Sequence, residues 1–177
     1  ANWYQHITVP VTVKDFYGDD KVLPAGSLVC FAEVYVTEIG NMQLAALIVE
    51  MEEKYKKIYG PSWEVEERYA DVANRAARID FRNYDPPLKT TWRVTREIEE
   101  HITKCQQIVN EKLFYVVKGG DDGSGCKMFI EEAEAWQRDP TTGKQIDTFN
   151  HSMSNFRYAV ANIDRKLQIE KRKGIGG

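Results

Sequence analysis

The apolar residues Met153, Phe156, Val160, Ile163 and Leu167 recur at three- and four-residue steps, the spacing that lines one face of an α-helix. A helix with such a stripe must bury it, so the C-terminal part of the chain has to fold onto a core supplied by the rest. The start of this helix is also rich in chemistry. The polar turn Asp147-Thr148-Phe149-Asn150-His151 runs straight into it, and Ser154, Arg157 and Tyr158 flank the stripe at the first turn. Groups placed there meet unsatisfied N–H donors and the positive end of the helix dipole, where anions and metal-bound phosphates are readily held. The same residues also fit an ordinary capped helix, with Asn150 or Ser152 as N-cap and His151 at the surface.

Upstream, the pattern alternates between strand and helix. The β-branched run His6 to Val13 reads as a strand, with Pro10 confined to an edge or a bulge because it cannot donate to a ladder. A polar loop, Lys14 to Ser27, carries Asp15, Asp19 and Asp20 without the ligand spacing of a calcium loop. Leu28 to Thr37 is the clearest strand and pairs with the first as a long-looped hairpin. Glu33 inside it faces either solvent or a functional centre, solvent being commoner for a carboxylate.

Asn41 is positioned to cap a helix from Met42 to about Tyr59, striped by Leu44, Leu47, Ile48, Met51 and Tyr55 and stopped by Gly60-Pro61. Trp63 to Asp71 reads as a strand ending in an acid, the end at which open α/β sheets keep their ligands. Residues 80–92 read as a connecting loop able to touch a partner with Arg82, Lys89 and Arg93, although loops of this composition are usually connectors alone.

A long helix from Val94 to Leu113, a short strand Phe114 to Val117 and a helix Met128 to Gln137 follow. The glycine cluster between Gly119 and Gly125 lacks the lysine of a phosphate-binding loop and reads as a mobile connector. The layout is α/β, and its hairpin start favours a mixed sheet.

Composition narrows the classes. A chain of 177 residues with 42% hydrophobic and 29% charged content makes a globular domain able to bury a core without disulfides or a structural metal. No stretch approaches the roughly eighteen apolar residues of a membrane helix, and no basic-then-apolar leader precedes Asn2, so the expectation is a cytoplasmic protein with no membrane partner. Cys30, Cys105 and Cys126 are odd in number and far apart, which points to reduced thiols rather than a disulfide framework or a zinc site. The net charge of −3 argues against coating nucleic acid by charge alone, but not against meeting phosphates through bound cations.

One resemblance spans most of the chain. The segment His151-Ser152-Met153-Ser154-Asn155-Phe156-Arg157-Tyr158-Ala159 resembles the closing motif, His-x-x-Asp-Ala-Leu-Arg-Tyr-Ala, of the C-terminal nuclease domain of viral terminase large subunits. Ile130 to Trp136, then Asp139, Gly143-Lys144 and Asp147, look like the segment before that motif. Phe31-Ala32-Glu33-Val34-Tyr35, its following helix, and Tyr69-Ala70-Asp71 resemble the family's third strand, first helix and second catalytic acid.

The resemblance implies an RNase H-like mixed sheet flanked by helices over residues 1–168, with 169–177 a basic flexible tail. It implies an Mg²⁺- or Mn²⁺-dependent endonuclease that cuts double-stranded DNA with little sequence preference, working beside an ATPase domain and a portal protein in the host cytoplasm. Asp71, Asp147, His151 and Ser154 would form the catalytic group, Asp71 and Asp147 would be the metal ligands, and Lys89, Arg93 and Arg157 would contact DNA.

Two departures weaken the implied centre. The family's last metal-binding aspartate falls on Ser154, and its first-strand aspartate falls on Asn2, with Asp15 a competing position. A neutral side chain removes both a ligand and a negative charge from a hard-cation site. The alternative is therefore a non-catalytic, nuclease-like module that grips DNA or docks onto the portal.

Overall fold

The computed structural model describes residues 1–15, 17–71, 75–93, 98–119, 125–137, 140–142 and 151–174, and of residues 71, 92–93 and 164–174 the backbone only. The chain is mixed α/β and separates into two compact units, residues 1–33 with 97–177 and residues 34–96.

Unit 1 is built on a three-stranded mixed sheet whose central strand is Leu28–Glu33. Strand β1 (Asn2–His6) runs antiparallel to β4 (Leu28–Glu33), and β4 runs parallel to β7 (Phe114–Val116). The central strand buries Leu28, Cys30 and Ala32 and leaves Val29, Phe31 and Glu33 half-buried, the period-two pattern of a strand with one face on a core.

The first strand begins and breaks earlier than its β-branched run suggests. Pro10 interrupts the ladder, and the chain resumes as β2 (Val11–Lys14) paired with β3 (Asp20–Leu23). Backbone bonds from Ile7 N–H to the Ser27 carbonyl (2.8 Å) and from Gly26 N–H to the Ile7 carbonyl (2.7 Å) bridge the gap. Strand β3 lies inside the segment expected to be a polar loop, because ladder pairing is carried by the backbone and tolerates Asp20 and Lys21.

At the tip, Asp15 Oδ1 accepts the N–H groups of Tyr17 (2.9 Å) and Asp19 (3.0 Å). That Asx-type turn occupies the carboxylate as a loop anchor.

Helices α3 (Ile98–Asn110), α4 (Lys127–Ala135) and α5 (His151–Gly174) complete the unit. Leu28, Cys30, Cys105, Cys126, Phe129, Met153, Phe156 and Val160 form its buried core. Phe156 is the hub, stacked on Phe114 with centroids 4.1 Å apart and edge-on to Phe129 at 6.0 Å. These are the offset and T-shaped geometries aromatic quadrupoles favour.

Unit 2 contains α1 (Asn41–Tyr59) and a strand-helix-strand segment, β5 (Tyr69–Asp71), α2 (Arg75–Asn83) and β6 (Thr91–Arg93), with β5 and β6 parallel. Only the last three residues of the expected Trp63–Asp71 strand pair. Trp63 instead lies 5.6 Å from Tyr55 of α1, ring to ring.

The segment 80–92 is not simply a loop, since α2 reaches Asn83 and β6 starts at Thr91. The sequence hid α2 because only Ala77 and Phe81 of its nine residues are buried. Asn41 is not the cap of α1. Gly40 precedes the helix, with its N–H held by the Gln43 side chain at 3.0 Å, and the Asn41 amide donates to Asp80 Oδ2 of α2 at 2.8 Å.

Candidate functional site

The first strand and the last helix meet in unit 1. Asn155 Nδ2, in the second turn of α5, donates to Asn2 Oδ1 of β1 at 2.7 Å, joining residues 153 apart in the chain. Asn2 stands opposite Glu33 in the β1–β4 register, and its own Nδ2 makes a long contact of 4.0 Å with Cys30 Sγ. Ser154 is half-buried one residue before Asn155, Ser152 is 1% exposed, and His151 is exposed at the helix start.

Two carboxylates hold helix N-termini around this point. Glu33, at the end of β4, accepts the backbone N–H groups of Met128 (2.6 Å) and Phe129 (3.0 Å) in the first turn of α4. Glu132 of α4 is 2% exposed and accepts the Ser152 N–H at the start of α5 at 2.6 Å. A charge that satisfies orphan N–H groups and opposes the dipole can be buried at low cost. The strand thus caps one helix, and that helix caps the next.

Glu33 therefore faces neither open solvent nor a free centre. At the α5 start, Ser152 donates its N–H to Glu132, and Asn150 lies outside the described residues.

Beneath the amide pair lies a sulfur-rich patch. Cys30 Sγ and Cys126 Sγ are 3.5 Å apart, and all three cysteines are free and buried. The contact with Cys126 and burial push the Cys30 thiol far above its ordinary range. Burial likewise raises the Tyr4 hydroxyl, which sits against these thiols. Burial pushes Cys105 up to about 12, an effect the Arg157 charge reduces.

Arg157 is half-buried, with its guanidinium 5.2 Å from the Tyr158 ring centroid. Its Nη1 is buried without a hydrogen-bond partner among the described residues.

Two divalent ions at the usual separation of about 3.5–4 Å need several shared carboxylates. The donors described around Asn2 are amides, a serine hydroxyl and two carboxylates already engaged by helix N–H groups. By themselves they do not fit a two-metal centre, and the described residues contain no group of three or more His, Cys, Asp or Glu side chains able to hold a metal ion.

The remaining candidates are distributed as follows. Asp71 ends β5 in unit 2, paired in register with Arg93 of β6, and for both only the backbone is described. Lys89 is exposed in unit 2. Asp147 lies outside the described residues, as do Asp139, Gly143-Lys144 and the connector residues 120–124.

Sequence reasoning does not single out Asn155 or Glu132. Asn155 sits one place from the family's acid position, and the single signal for Glu132 is its place in an acidic helix with an apolar face.

Comparison of the chain with protein-family models, with curated proteins and with solved structures returns no match. The fold defines a mixed α/β protein whose N-terminal strand and C-terminal helix are joined by an amide pair. No helix among the described residues is long and apolar enough to cross a membrane.

Proposed function

We propose that this chain is the nuclease-like domain of a viral DNA-packaging terminase, with an RNase H-like plan and a weakened hydrolytic centre, that engages double-stranded DNA with little sequence preference. The observation that carries this reading is the Asn2–Asn155 hydrogen bond. The resemblance aligns metal-binding acids with Asn2 and with Ser154, at opposite ends of the chain. A nuclease of that plan needs the first strand and last helix to converge there.

The convergence point holds neutral amides, which supply acceptor oxygens without the negative charge that hard cations require. Gripping DNA, beside an ATPase domain and a portal protein, is therefore favoured over cutting it.

The test is binding of two short duplexes of unrelated sequence in EDTA over a range of salt. Equal affinities that fall linearly on a log–log salt plot support the reading. Absence of binding to either duplex at low salt contradicts it. Hydrolysis with Mg²⁺ or Mn²⁺ is the second reading, favoured by the position of Asp71 at the carboxyl end of a parallel strand. Manganese-dependent cutting by the chain as written, lost in Asp71→Ala, would establish it.

A further inference from the structure

Unit 2 carries a basic cavity that the amide pair and its neighbours do not account for. It has a volume of about 290 Å³ and is lined by Arg78, Arg82, Pro87, Leu88, Lys89 and Thr90. Arg78 and Arg82 stand one turn apart on α2, and Lys89 and Thr90 come from the segment that follows. Among the described residues, no carboxylate lines it.

Elsewhere in the unit, Glu52 pairs with Arg68, Glu53 with Lys56, and Asp80 accepts from the Asn41 amide. Among the described residues, none of the three lining cations forms an ion pair. Like charges at this helical spacing repel each other mildly, so the arrangement is unfavourable until an anion arrives.

The wall is also fixed in place. Leu88 is buried and donates its N–H to the Phe81 carbonyl at 3.0 Å, and the Thr90 hydroxyl donates to the Leu88 carbonyl at 3.3 Å. That leaves the Thr90 oxygen free to accept in a cavity that Lys89 and the two guanidinium groups also line, and guanidinium forks match phosphate oxygens. At the small end of ligand-pocket volumes, the cavity has room for a phosphate with one sugar rather than for a whole nucleotide with its base.

We propose that this cavity is a phosphate subsite, and that its occupant is a backbone phosphodiester of duplex DNA. The choice of occupant rests on the DNA-binding reading above, whereas the cavity's affinity for phosphate does not.

The test follows the backbone amide resonances of Leu88, Lys89 and Thr90 by NMR during titration with a short duplex, with deoxyribose 5-phosphate and with chloride at matched ionic strength. In parallel, duplex affinity is measured for the Arg82→Gln/Lys89→Gln variant. Duplex-induced shifts, with a several-fold weaker affinity and a salt slope smaller by about 0.9 for each phosphate that the variant no longer neutralises, support the proposal. Shifts with the sugar phosphate alone retain the phosphate subsite and overturn its assignment to DNA. Shifts no larger than those in chloride overturn the subsite itself. Duplex binding that the variant leaves unchanged, with resonances that do not move, overturns the subsite while leaving the DNA-binding reading standing.

Discussion

Replacing Glu33 by glutamine tests the strand-to-helix cap on which the geometry of unit 1 depends. The carboxylate accepts two backbone N–H groups at 2.6 and 3.0 Å. Glutamine keeps one acceptor oxygen and turns an NH₂ donor toward the second N–H, leaving that donor without a partner. Loss of a helix-capping acceptor costs roughly 0.5–2 kcal/mol, and removal of a charge at a helix N-terminus adds about 0.3–1 kcal/mol.

Glu33→Gln should therefore destabilise unit 1 by about 1–3 kcal/mol, and Glu33→Ala, which strips both acceptors, should lie at the upper end. With a urea dependence of roughly 1–3 kcal/mol per molar, the midpoint should fall by about 1 M with the slope unchanged. Urea titration followed by tryptophan fluorescence and by circular dichroism reads this when Trp63 and Trp92 of unit 2 are replaced by phenylalanine, leaving Trp3 and Trp136 of unit 1 as the probes. A change below about 0.5 kcal/mol, the level of an ordinary surface substitution, would refute the capping role.

Other expectations follow from the same packing. Gly125 has φ +84°, and a Cβ there would meet the Gly119 backbone at 2.4 Å and the Val117 carbonyl at 2.7 Å. Gly125→Ala should thus cost roughly 2–4 kcal/mol, whereas Gly26→Ala, also at positive φ but in open space, should cost about 1–2 kcal/mol; equal melting temperatures for the two would sink the argument. Stability should also fall in alkali. Cys105 holds its proton to about 12 in the folded chain but releases it near 9.0 once unfolded. Above the lower value the unfolded state binds fewer protons, so about 1.4 kcal/mol should be lost per pH unit until the upper value is reached; a urea midpoint that stays flat across that window contradicts it. The three buried thiols should resist an aromatic disulfide reagent in the native protein and react fully in denaturant, and fast native labelling would show that the sulfur patch is open.

The parts of the fold legible in the sequence are those with strong periodicity. The stripe through Met153, Phe156 and Val160 does face the core, and Leu28 to Glu33 does pair with the N-terminal strand. Element ends are less legible where backbone geometry decides them. Lys112, at φ +57°, ends the α3 segment just before β7 can start.

Strand β3 and helix α2 are hidden for opposite reasons. The first is polar and held by its ladder, and the second presents only two buried side chains. At the site, the sequence marks the region near His151 and Ser154, but Asn155 is the residue that reaches Asn2. The roles of Glu33 and Glu132 depend on which helix end lies opposite each carboxylate. For Glu33 that partner is 95 residues away, and no local pattern encodes such a distance.

Whether neutral residues at positions 2 and 154 disable the centre is read by conversion of supercoiled plasmid in Mn²⁺ by the chain as written and by Asn2→Asp/Ser154→Asp, with circular dichroism to establish that both are folded. The chain as written should bind the plasmid and leave it supercoiled. The double variant should nick the plasmid, and EDTA should stop it. Efficient cutting by the chain as written, or a folded double variant that remains inert, would rule out a centre disabled by neutral side chains at positions 2 and 154.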